Sequence, residues 1–113
     1  MKEFTMNNAV TGIVNNQIFA ESLTDAYLKA LLTYGLDAIG SNFVCVEDGS
    51  WSAHVSYNCW KRMLSELCPT ATMVDVFNCE LAMVYHRLGK LTLKQAKSKS
   101  RLWRWMDNTG FEW

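Results

Sequence analysis

Asn42-Phe-Val-Cys-Val46 and Trp51-Ser-Ala-His-Val-Ser56 flank Glu47-Asp-Gly-Ser50, and the reading of this stretch decides the fold. Asp-Gly between two β-rich runs is a strong hairpin signal, because both residues accept the positive φ that a tight turn demands. In the return run Trp51, Ala53 and Val55 share one face, while Ser52, His54 and Ser56 share the other. A period of two describes a strand packed on one side and wet on the other.

Upstream, Ala9-Val-Thr-Gly-Ile-Val14 and Gln17-Ile-Phe-Ala20 predict an opening hairpin turning at Asn15-Asn16, since Asn tolerates positive φ. Ser22 then reads as an N-cap with Asp25 in the first turn, where a negative charge suits the helix dipole. Leu23, Ala26, Tyr27, Ala30, Leu31 and Tyr34 recur at helical spacing, and Gly35 closes the helix.

Downstream the period changes from two to 3.6. Asn58 to Leu67 reads as helical and Pro69 ends it. A longer helix is predicted from about Ala71 to Leu88, with Met73, Val76, Phe77, Leu81, Val84 and Leu88 on one face and Gly89 as terminator. Thr92-Leu-Lys-Gln95 is a capping box that opens a last helix running to about Asp107. The predicted order is ββαββααα. An α+β fold follows, with a small antiparallel β-sheet of about four strands packed on one face by helices. With no repeat, linker or low-complexity segment, residues 1–113 read as a single compact domain.

The 113 residues are half apolar and 19% charged, which excludes a disordered chain. No apolar run approaches the roughly 20 residues that cross a bilayer, so no membrane partner is expected. Met1-Lys-Glu-Phe-Thr-Met-Asn-Asn8 lacks the apolar core of a signal peptide. The four cysteines, Cys45, Cys59, Cys68 and Cys79, contain no C-x-x-C pair. Free thiols in a reducing, cytoplasmic setting are the expectation.

Chemistry finds little purchase. His54, Cys59, Cys68, Cys79 and His86 are the candidate zinc donors. Cys79 and His86 share a helix face but stand about 10 Å apart along its axis, too far to share one ion or one proton. A site from His54, Cys59 and Cys68 stays open on spacing alone. Paired catalytic carboxylates would have to come from Glu47, Asp48, Glu66, Asp75 or Glu80, and Glu47 and Asp48 flank a turn, where acids are expected for conformational reasons. No phosphate loop, nucleophile elbow or zinc-protease motif occurs. The expectation is a protein that is not an enzyme and takes no cofactor and no metal.

Charge is unevenly spread. Residues 1–80 hold four basic side chains against nine acids, whereas residues 81–113 hold seven against two. On a continuous last helix Lys94, Lys97, Arg101 and Arg104 fall within about 80° of one another, a basic stripe roughly 15 Å long. Trp51, Trp60 and Trp103 fit a tryptophan-rich core. Trp105 and Trp113, at a helix edge and near the chain end, fit it poorly. The candidate binding surface is therefore Lys94, Lys97, Arg101, Arg104, Trp105 and Trp113. A protein partner is the first expectation, with Trp and Arg as anchors. A homodimer through the aromatic edge is a variant of it. Direct nucleic-acid binding by the same stripe is the alternative. The narrowest expectation rests on size and the lack of a catalytic motif: a phage or mobile-element inhibitor of a nucleic-acid-processing defence system, of the anti-CRISPR or anti-restriction type.

Overall fold

The computed structural model describes residues 1–109, so Trp113 lies outside the described residues. Strands β1 (Lys2–Asn8), β2 (Ile13–Ala20), β3 (Asn42–Cys45) and β4 (Trp51–Ser52) form one antiparallel sheet in the order β2-β1-β3-β4. Helices α1 (Leu23–Tyr34), α2 (Tyr57–Leu67), α3 (Met73–Arg87), α4 (Leu93–Lys99) and α5 (Arg101–Thr109) make this an α+β fold with the helices on one face of the sheet. The two hairpins meet through β1 and β3, with Phe4 opposite Cys45 and Met6 opposite Phe43.

The opening hairpin begins earlier than its β-rich segment suggests. Residues 2–8 alternate, with Phe4, Met6 and Asn8 buried. The turn falls at residues 9–12 rather than at Asn15-Asn16. Asn8 decides this, because its Oδ1 accepts the N–H groups of Val10 and Thr11. Its Nδ2 donates to the carbonyls of Asp37 and Ile39 and to Ser41 Oγ at 3.0–3.1 Å. One buried amide thus ties the hairpin to the 3-10 turn Gly35–Ala38 and the approach to β3. Asn15 does adopt positive φ, at 49°, but as an irregularity inside β2.

The second hairpin turns where Asp-Gly predicts, with Cys45 N–H donating to Ser50 O at 2.7 Å. Its return strand is only Trp51–Ser52, shorter than the six-residue run that the alternation predicts. The chain leaves the sheet to pass over Gly40, whose missing side chain makes room for Ser56. Ser56 then caps α2 by accepting the Cys59 N–H. On the way His54 turns inward and stacks on Tyr27, ring centroids 3.8 Å apart, with Nδ1 2.9 Å from Ser41 O. The wet strand face expected of His54 does not form.

Ala26, Tyr27, Ala30 and Leu31 press α1 against the sheet, and α3 packs behind α1 through Val76, Cys79, Ala82 and Val84. The two predicted caps hold: Ser22 on α1, and Thr92 in a capping box with Gln95 on α4. The last helix, however, is two helices. Ser100 is extended (φ −132°, ψ 107°) and fully buried, and its hydroxyl accepts the Trp103 N–H at 3.1 Å. A serine hydroxyl competes with the helix for backbone donors, and here it caps α5 instead of continuing α4. Ser100→Ala is expected to lower the unfolding free energy by about 1–2 kcal/mol, the usual cost of losing such a cap. A urea titration checks this, and an unchanged midpoint would show that the cap contributes nothing.

Candidate functional site

The break at Ser100 dismantles the continuous basic stripe. Lys97 pairs with Asp107 across the α4–α5 corner. Arg101 binds Asp75 at 2.7 Å, the same carboxylate that completes the capping box of α3 with Thr72. Burial pushes the Asp75 carboxyl upward, but bonds from Thr72 and Arg101 outweigh it and keep the group below its ordinary value. Arg104 donates to the carbonyls of Lys97 and Ser98 at 2.8 and 2.9 Å. Those carbonyls end α4, where helical partners run out and a cation is favoured. Three of the four cations therefore staple α4 and α5 to each other and to α3. Lys94 alone of the four has no hydrogen bond or ion pair to another described residue. The hollow between α4 and α5, about 660 Å³, is lined by Lys94, Lys97 and Arg104 but also by Asp107. Trp105 is half-buried against the core, which explains an aromatic at a helix edge without a partner.

The candidate donors for chemistry do not converge. His86 Nδ1 lies 3.0 Å from Leu91 O, and the four cysteines are free, with Cys45 and Cys79 buried. Among the described residues no three His, Cys, Asp or Glu side chains gather around a common point. Glu80, which the sequence offers only as one of five acids for a carboxylate pair, is buried. Its Oε1 accepts the Trp60 Nε1–H at 3.0 Å. Its other oxygen and the Tyr27 hydroxyl, which faces it, are buried without a well-formed hydrogen bond. Burial pushes the Glu80 carboxyl up to about 7, against the pull of Trp60, Tyr27 and Arg87. The cluster lies between α1, α2 and α3, and its Trp60 also lines a small apolar hollow with Met63, Leu67, Leu102 and Trp105.

The open surface lies on the other side of the molecule. Because side chains alternate, the strands that bury Phe4, Met6, Phe43 and Cys45 must turn Glu3, Thr5, Val44 and Val46 outward. Trp51 stands opposite Val44, and Val44 opposite Thr5. Phe19 stands opposite Glu3, while Val46 N–H donates to Glu3 O from the other side. Trp51 is 70% exposed, Val46 54%, Phe19 51% and Val44 41%. Trp51, assigned to the core by its neighbours in sequence, is the most exposed of the described large aromatics. A clue was legible: with Phe43 and Cys45 inward, the hairpin partner of Val44 must face out. Beside the patch Asp48 receives the Ser50 N–H and hydroxyl at 2.8 and 2.6 Å, which holds its carboxyl well below the usual range.

Comparison of the chain with protein-family models, with curated proteins and with solved structures finds no match. No helix among the described residues is long and apolar enough to cross a membrane.

Proposed function

We propose that this protein acts by binding another protein, without turnover of its own, and that the outer sheet face is its contact surface. The observation that carries this reading is an indole left 70% exposed on a strand, with exposed Val44 beside it, Val46 just beyond β3 and Phe19 across β1 on the far edge strand. A cluster of large apolar side chains on an ordered strand face costs solubility and marks interaction sites, and Trp is the residue type most often found as an anchor. The contact surface thus moves from α4 and α5, where Lys97, Arg101 and Arg104 are spent internally, to the sheet. Nucleic-acid binding by those cations loses its main support for the same reason.

Four free cysteines fit a reducing compartment, and we place the protein in the cytoplasm on that ground. Inhibition of a nucleic-acid-processing defence system is the narrower proposal, supported by chain size and the absence of a catalytic motif. Affinity purification from cells of the natural source tests the broad reading. Trp51→Ser is expected to keep the circular dichroism spectrum and thermal midpoint and to lose the retained protein. Lys94→Glu is expected to keep it. The reverse pattern would return the contact surface to α4.

A further inference from the structure

On the outer face the interior strand β1 presents Glu3 and Thr5 between apolar Val44 and Val46 on one side and Phe19 on the other. Glu3 sits on β1, an interior strand, with Phe19 opposite it on one side and Val46 bonded beside it on the other. Neighbouring strands are about 5 Å apart, so any surface that covers Phe19 and Val46 also covers the Glu3 carboxylate. Within the protein that carboxylate accepts from Gln17 Nε2 at 2.6 Å. The ion pairs among described residues are Lys2–Asp48, Lys29–Asp25, Lys97–Asp107 and Arg101–Asp75, and none reaches Glu3. Glu47 and Asp48 add negative charge beside Val46. The cation at that end, Lys2, is engaged by Asp48, and Lys29 is engaged by Asp25 and the Phe19 carbonyl.

We infer that the partner is a protein surface that seats an arginine over Glu3, surrounded by apolar side chains that cover Phe19, Val46 and Trp51. This rests on the reading of the sheet face as the contact surface. A carboxylate buried at an interface without a cation is strongly unfavourable, whereas one met by a guanidinium gains two charge-assisted hydrogen bonds. Arginine suits the site better than lysine, because its flat, weakly hydrated head can lie on apolar neighbours while it forks onto a carboxylate. The charge pattern also disfavours two other occupants. A second copy docked face to face by two-fold symmetry would bring one face carrying Glu3, Glu47 and Asp48 against the same acidic face, and nucleic acid would bring phosphates to an acidic patch.

The test places the photo-crosslinker p-benzoylphenylalanine at position 44, and separately at position 51, in the full chain in cells of its natural source. Mass spectrometry then reads the attached peptide. The expected product is a peptide from another protein with an arginine at or next to the crosslinked residue. Glu3→Gln, which keeps the bond with Gln17, is expected to weaken retention of that protein about tenfold, and Glu3→Lys to weaken it further. Changing the identified arginine to glutamate in the partner should abolish binding to the original chain and restore it to Glu3→Lys. Crosslinking that is unaffected by Glu3→Gln and Glu3→Lys would overturn the arginine and leave the contact surface standing. No crosslink from either position, or one to a second copy or to nucleic acid, would overturn both.

Discussion

Gly40→Ala is expected to lower the unfolding free energy by about 4 kcal/mol, a large fraction of the 5–15 kcal/mol typical of a small domain. Two costs combine. Gly40 has φ +83°, a conformation that costs a residue with a side chain about 1–3 kcal/mol. A Cβ there would also stand 2.6 Å from Ser56 Cα and 3.1 Å from Tyr57 N. Those are backbone atoms at the start of α2, which cannot swing aside, and such overpacking adds about 1–3 kcal/mol. Gly89→Ala is the control. Its φ is +75°, but nothing lies within 4 Å of the added atom, so the same conformational cost of about 1–3 kcal/mol stands alone. Urea denaturation of the two variants separates the terms. Equal losses would mean that the crossing of residues 53–56 over Gly40 is not as close as described.

The second large effect is a pH dependence centred on Glu80. Its folded-state value of about 7 lies above the ordinary 4.5. Between those pH values the folded chain therefore holds a proton that the unfolded chain has released. The stability contributed by protonated Glu80 is complete below pH 4.5 and is lost as pH rises through 7. At 1.36 kcal/mol per pH unit the loss totals about 3 kcal/mol. His54 acts in the opposite sense. Burial against Tyr27 lowers its value below 6.5, despite the bond to Ser41, so its contribution is present above pH 6.5 and is lost as pH falls. The wild-type profile mixes the two, and comparison with Glu80→Gln isolates the first. The amide oxygen introduced by that change can still accept from Trp60, and the side chain carries no charge at any pH. The variant is expected to gain on the wild type by about 2–3 kcal/mol between pH 5 and pH 8. A difference that stays constant across that range would show that Glu80 is ionised in the fold at neutral pH at little cost. The isosteric change matters, because Glu80→Ala would also strand the buried Trp60 N–H and open a cavity.

Local chemistry was legible wherever one residue addresses its own neighbours. Ser22 caps α1, Thr92 and Gln95 box the start of α4, and Asp-Gly turns the second hairpin. The errors have one character. Asn15-Asn16 has the right chemistry for a turn, but Asn8 offers a better one because its amide also reaches Asp37, Ile39 and Ser41, which are 29–33 residues away. The basic stripe assumed an unbroken helix, but a buried Ser100 divides it, and the acids that hold Lys97 and Arg101 come from α5 and α3.

Periodicity, caps and turn residues by themselves determined the α+β class, the approximate helix positions and the antiparallel hairpins, because those signals act within one or two turns of chain. Only the tertiary structure decided which residues meet the outside. Asn42–Val46 is apolar in both phases, Phe43 and Cys45 in one and Val44 and Val46 in the other. The choice between them is made by α1, which lies across Phe43 and leaves Val44, Val46 and Trp51 on the far side. The raised pKa of Glu80 belongs to the same category: it reflects burial under elements brought from elsewhere in the chain, which the bonds from Trp60 on α2 and Tyr27 on α1 only partly offset.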